Sequence, residues 1–195
     1  MPTTEPSGGT TPGQPANRRY DPDRRERIVE ACLDVIAAAG VSGTSHRRVA
    51  AAAGVPLGSM TYHFDGMDDL LRAAFTRFAD DVADEFERRM RAAGSRREAA
   101  DAVVALITGD VFATRRDLVL VHELYVLAVR DPGYRTVTAA WMNRSHRALE
   151  RHFDPATARM LDALIEGLTI QRALETGHEE AADVAEAVRR IAMAG

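Results

Sequence analysis

Between Ser42 and Phe64 the chain carries His46, Arg47, Arg48 and His63 and no Asp or Glu. Guanidinium groups on an acid-free stretch suit phosphate, because their planar fork matches an anionic oxygen pair. The neighbouring residue types suit an element that brings such groups to a nucleic acid. Ser45 can cap a short helix, whose N-terminus with Thr44, His46 and Arg47 would then face an anion. Val49, Ala50 and Ala53 are small, so a second helix can cross closely. Gly54 can take the positive φ of a tight turn. Val55 and Met60 can pack inward, and Phe64 can close the end. The pattern predicts a helix-turn-helix, whose second helix enters the major groove by its N-terminus. On that geometry Pro56, Leu57, Gly58 and Ser59 face base edges. Leu57 could meet a thymine methyl, and the Ser59 hydroxyl could donate or accept.

Other chemistries are poorly served. The chain has no Gly-rich phosphate loop, no HExxH and no G-x-S-x-G elbow. His122-Glu123 alone is no catalytic constellation, so no catalytic residue and no enzyme activity is expected. His146 and Glu150 share a helix face at i, i+4, but one pair is too few for a metal site, and no metal or other cofactor is expected. The single cysteine, Cys32, excludes an internal disulfide. It falls on an apolar stripe, which predicts an inert core thiol.

The second half offers a place for a small molecule. Residues 115–130 are apolar nearly all round and interrupted by His122 and Glu123. Tyr125, Trp141 and Ser145, with Phe78 and Phe86, could line a pocket for a hydrophobic or aromatic molecule. The same residues also read as ordinary core, since aromatic stripes at helical spacing usually are.

These groups need helices to hold them. Asp-Pro occurs at Asp21-Pro22, Asp131-Pro132 and Asp154-Pro155, each a helix start. Gly40, Gly94 and Gly177 mark stops. Between the marks apolar residues recur at helical spacing, as in Ile28, Cys32, Val35, Ile36 and Ala39. No useful segment alternates at period 2. The expectation is all-α, with about nine helices: 22–39, 45–52, 57–63, 67–92, 96–112, 115–130, 132–152, 155–176 and 179–193. Residues 1–17 hold four of the eight prolines and read as a disordered tail. Asn17-Arg18-Arg19-Tyr20 reads as a basic arm before the first helix. Net charge is −4, from 25 basic and 29 acidic residues. That excludes a globally basic nucleic-acid binder and leaves a local basic island. No apolar run is long enough for a membrane span and no signal peptide is visible, so a cytoplasmic protein is expected.

Thr44–Ala50, Ala53-Gly54-Val55, Gly58-Ser59 and Tyr62-His63-Phe64, followed by Asp68-Asp69-Leu70-Leu71, resemble the DNA-binding domain of TetR/AcrR transcriptional regulators. The preceding helix and the Gly40-Val41 exit fit as well, and the resemblance covers about residues 22–72. Three positions depart from the family pattern. Pro56 stands where Ser or Thr is common, Thr61 where Tyr is usual, and Met67 replaces a frequent Lys. Arg18, Arg19, Arg25, Arg47 or Arg48 could carry the phosphate contacts so lost.

The resemblance implies a three-helix reading head over 18–65, with Thr61, Tyr62 and His63 among its DNA-facing residues. It implies a helical ligand-binding and dimerisation domain over 66–195. The last two helices would pair with their mates in a homodimer that reads a palindromic double-stranded operator. The expected activity is a repressor released by an unidentified small-molecule effector. A DNA-binding regulator without a ligand, or an activator of the same fold, is the alternative.

Overall fold

The computed structural model describes residues 23–110, 114–174 and 181–194. The expected tail, the arm at Arg18 and Arg19, Asp21-Pro22, Gly177 and His178 lie outside these residues. Among the described residues the chain forms nine α-helices and no strand. They are α1 (Arg24–Ala39), α2 (His46–Ala53), α3 (Gly58–His63), α4 (Met67–Ala92), α5 (Arg96–Ala105), α6 (Arg115–Arg130), α7 (Pro132–Leu149), α8 (Pro155–Ala173) and α9 (Ala181–Ala192).

The helix ends follow from side-chain chemistry. Asp131 accepts the Gly133 N–H at 2.6 Å, with Pro132 in the first turn, where its missing N–H costs nothing. Asp154 accepts the N–H groups of Ala156 and Thr157 at 2.9 and 3.1 Å, and the Thr157 hydroxyl and backbone bonds hold its carboxyl below the usual range. Ser45 accepts the Arg48 N–H at 3.4 Å. Thr114 and Ser95 cap α6 and α5 in the same way. Gly40 ends α1 at φ +70. That positive φ favours glycine, and a Cβ there would stand 2.7 Å from Glu123 Oε1, the flexible end of an α6 side chain that would have to move.

Two helices, α5 and α7, end earlier than their patterns predict. The helix expected over 96–112 stops at Ala105. Leu106–Asp110 continues as a π-helical turn with a non-helical Gly109, and 111–113 lie outside the described residues. Glycine is a poor helix former, and the turn places Leu106 and Ile107 in the core. The helix expected to reach 152 stops at Leu149, whose carbonyl accepts the N–H groups of both His152 and Phe153 and turns Phe153 inward. The last two helices are described only as Pro155–Ala173 and Ala181–Ala192.

Two apolar clusters form the core. One joins α1, α2, α3, the first half of α4, α6 and α7, and it includes Ile28, Ile36, Met60, Leu70, Phe75, Leu124 and Trp141. The other joins the end of α4 with α5, α8 and α9 through Phe86, Met90, Val103, Leu161 and Val188. The α4 helix runs through both. At about 1.5 Å per residue its 26 residues span about 39 Å. Among the described residues no helix is long and apolar enough to cross a membrane.

Candidate nucleic-acid interface and effector site

Val49, Ala50 and Met60 are buried and lock α2 against α3. Between the two helices Gly54 adopts φ +64, ψ +34, and its N–H meets the Ala50 and Ala51 carbonyls. Phe64 is buried beneath the Arg25 guanidinium, which sits 5.1 Å from the ring centroid. This packing leaves the other side of the motif outward. Arg47, Pro56, Leu57, Gly58, Thr61 and Tyr62 are exposed, with Leu57 at 54% and Tyr62 at 84%. Thr44, His46, Ser59 and His63 are half-buried at the edge of that face. Tyr62 stands edge-on to His63 at 4.9 Å. Nothing among the described residues lies within 4 Å of a Cβ at Gly58, so their packing does not demand glycine there.

Some polar groups of the face are already engaged. Arg48 Nη1 donates to the Gly43 carbonyl at 2.7 Å, and the Thr44 hydroxyl donates to the Gly40 carbonyl at 2.9 Å. Thr61 donates to the Gly58 carbonyl at 3.2 Å. Arg47 has no ion-pair partner among the described residues. At the start of α4, Asp69 accepts the Asp65 N–H at 3.1 Å. Asp68 binds Arg72 and accepts the Tyr134 hydroxyl at 2.8 Å, so this acid ties α4 to α7.

A second site lies where α4, α7 and α8 meet the π turn. Its walls include Val82, Phe86, Leu106 and Trp141, and its polar groups are Ser145, Asp162 and Glu166. About 20 Å³ is open to a water-sized sphere, room for one water. Of the residues expected to line a pocket, Phe86, Trp141 and Ser145 do. Tyr125 lies behind, stacked on Trp141 at 6.0 Å, and its hydroxyl donates to Glu166 Oε1 at 2.7 Å. Phe78 packs edge-on against Trp141 at 6.2 Å and stands behind the wall, one turn of α4 before Val82. His122 is also set back. Its Nδ1 lies 2.6 Å from the Leu118 carbonyl oxygen, and its Nε2 is buried with no hydrogen-bond partner among the described residues.

The two acids, Asp162 and Glu166, are absent from the sequence-based expectation. Burial pushes both carboxyls up. For Asp162 the His146 charge and hydrogen bond pull the other way. For Glu166 the Tyr125 bond opposes burial, the Asp162 charge adds to the rise, and His122 opposes it. The signal was present: two acids four apart, interleaved with Leu161, Leu164, Ile165 and Leu168 on an apolar helix. His146 meets Asp162 at 2.9 Å, and Glu150 is exposed, so the two do not form a pair. Among the described residues no three His, Cys, Asp or Glu side chains converge as metal ligands. Cys32 is buried and its thiol is pushed up to about 12 by desolvation, which makes it unreactive.

Residues 28–74 match the family described as bacterial regulatory proteins, tetR family, and residues 94–194 match the tetracyclin repressor-like C-terminal domain. The HTH-type transcriptional regulator BetI 1 of Chromohalobacter salexigens is 28% identical over 164 residues, covering 78% of this chain and 80% of that protein. Among solved structures, SCO7518 of Streptomyces coelicolor A3(2) is 54% identical with a TM-score of 0.80, covering 88% of this chain and 99% of that one. The multidrug binding protein EbrR in complex with ethidium is 33% identical with a TM-score of 0.74, over 88% of this chain and 99% of that one. EbrR complexes with proflavin and malachite green are similar too. Two family matches that together span most of the chain, on an all-helical fold with a helix-turn-helix near its start, mean that this protein belongs to the TetR family of DNA-binding transcriptional regulators, which are not enzymes.

Proposed function

We propose that the protein is a homodimeric repressor that leaves a palindromic operator when a flat aromatic cation enters the cavity between α4, α7 and α8. The observation that carries the reading is the placement of Asp162 and Glu166 on the cavity beside the stacked Tyr125 and Trp141. Carboxylates in an apolar enclosure favour a cation, and aromatic faces favour a flat, positively charged ring system. EbrR, with its ethidium, proflavin and malachite green complexes, supports the same ligand class. A cavity with room for one water must open to admit such a molecule, since ligand pockets commonly reach hundreds of Å³.

Opening would move the reading head, here taken as residues 18–65, against a sensing and dimerisation part over 66–195. Val82 and Phe86 on α4 line the cavity, and the same helix packs Leu70 and Leu71 against the head. On α6, Arg116 binds Glu30 and Asp34 of α1 at 2.6 and 2.9 Å. A displaced α4 or α6 therefore carries α1 with it. Two heads must sit about 34–36 Å apart to read successive major grooves, and an effector that favours another spacing lowers DNA affinity. In this reading Ser45, His46 and Arg47 contact phosphate, Pro56 to Ser59 meet base edges, and Tyr62 and His63 reach the backbone. The protein would work in the cytoplasm, where its DNA is.

Trp141 is the sole tryptophan, so its emission reports the site without any label. Ethidium added to the protein alone should quench it saturably. Malachite green, controlled on the DNA alone, should lower fluorescence anisotropy of protein bound to the DNA upstream of its own gene. Binding to that DNA should exceed binding to scrambled DNA by about a thousandfold or more. Equal binding to both DNAs sinks operator recognition, and unchanged Trp141 emission sinks the cation site.

A further inference from the structure

Asp162 and Glu166 stand one turn apart on α8 and face one cavity, but their partners differ in kind. Asp162 Oδ2 lies 2.9 Å from His146 Nε2, a group able to carry positive charge. Glu166 Oε1 has the Tyr125 hydroxyl at 2.7 Å, a neutral donor. From α6 the other titratable neighbour is His122, whose Nε2 is buried with no hydrogen-bond partner among the described residues. From α4 and the π turn the cavity receives Val82, Phe86 and Leu106, which carry no charge. With room for a single water on the cavity side, and both side chains half-buried, neither carboxyl has space there for a full hydration shell. A carboxyl so placed, one turn from a second acid, reduces its cost by remaining neutral.

We propose that Glu166 keeps its proton while the cavity is empty and gives it up when an organic cation docks, so that effector binding exchanges a cation for a proton. This rests on the aromatic-cation site proposed above. In the exchange the carboxyl O–H bond breaks, its electron pair stays on Glu166, and the proton passes to solvent buffer. The docked cation then supplies the counter-charge that the empty cavity lacks. Protonated on one oxygen, Glu166 still accepts the Tyr125 hydroxyl on the other, so the network survives both states. The upward push of burial and of the Asp162 charge on the Glu166 carboxyl is in keeping with this. The sign follows from linkage: where the empty protein holds the proton, each unit fall in pH weakens the cation about tenfold. A regulator built this way responds to an organic cation less readily in an acidified cell.

The test uses ethidium, which is permanently cationic and neither gains nor loses a proton near neutrality. Affinity is read from Trp141 emission between about pH 5.5 and about 8, the range over which a buried, raised carboxyl can titrate. Proton release is read by calorimetry in two buffers of different ionisation enthalpy. Wild type should bind more tightly as pH rises and release close to one proton per ethidium at the acid end. Glu166→Gln, which keeps an acceptor for Tyr125, should release none and bind with a flat pH profile. Infrared difference spectra provide a reading that does not need the variant to bind. A protonated-carboxyl C=O band should be present in empty wild type, vanish on adding ethidium, and be missing from empty Glu166→Gln. Ethidium bound by wild type without proton release overturns the proposal. So does release that persists in Glu166→Gln, which would assign the proton to Asp162, His146 or His122. Failure of wild type to bind ethidium at every pH overturns the aromatic-cation site itself, and the exchange with it.

Discussion

Arg47 and Arg48 are adjacent in sequence and alike in type, yet the fold assigns them different work. Arg48 is tied to the Gly43 carbonyl at 2.7 Å and braces the turn after α1. Arg47 projects from the exposed side of α2 with no ion-pair partner among the described residues. Only Arg47 is therefore placed to reach a phosphate without giving up an internal bond. Arg47→Ala should reduce the slope of log affinity against log salt by about 0.9, the loss of one phosphate contact. Arg48→Ala should leave the slope nearly unchanged and act on the stability of the turn instead. DNA-binding isotherms at four or more salt concentrations would separate the two, and equal slopes for both variants would contradict this division of roles.

Among the elements, α1 and α4 connect the reading motif to the rest. Where α1 ends, Gly40 combines φ +70 with the 2.7 Å approach of Glu123. Gly40→Ala should cost about 1–3 kcal/mol, since the conformation is one that side chains resist and the neighbour must also move. Urea denaturation would measure the loss. Adding Glu123→Ala should restore only the steric share, and full recovery would mean the backbone carries no strain. Along α4, Arg144 of α7 bonds Glu87 at 2.7 Å and Asp80 at 3.2 Å and also pairs with Asp84. The hydrogen bonds from Arg144 hold the Glu87 carboxyl below its usual range, chiefly through that direct bond. One guanidinium shared by three acids spaced along α4 ties α7 to α4.

Taken as a whole, the protomer leaves a seam on α8. Met160, Ala163, Ile170 and Leu174 are exposed, and Gly167 falls among them at the same helical spacing. On α9, Val184 and Val188 are spent inside the protomer against the α5 cluster. In the proposed dimer the apolar contribution would therefore come mainly from α8. A Cβ at Gly167 meets nothing within 4 Å among the described residues. Gly167→Arg should leave each subunit folded, since arginine is also the better helix former, while it blocks the close approach of a second α8. Light scattering should show a monomer, and operator affinity should fall by tenfold or more as the two heads lose their coupling. A variant that remains dimeric would place the interface elsewhere.

The reading motif was legible from local sequence. Ser45, Gly54, Met60 and Phe64 took the expected positions because caps, turns and short-range packing are decided within a few residues of chain. The helix starts at Asp131 and Asp154 were legible for the same reason, and so was the all-helical class. The early ends of α5 and α7 were less so. There, burial of Leu106, Ile107 and Phe153 against distant helices outweighed the local helical pattern. The proposed effector cavity was only half legible. Its aromatic wall was anticipated in Phe86 and Trp141, while Phe78 and His122 stand behind it. Asp162 and Glu166 were hidden, because an acid at i, i+4 on a helix is ordinarily a solvated one. Only tertiary packing turns them inward: α6 delivers Tyr125 and α7 delivers His146 to the same side of α8, and apolar side chains of α4 complete the cavity wall. Local sequence sets which residues are helical. Which charges lose their solvent is decided by neighbours far away in the chain.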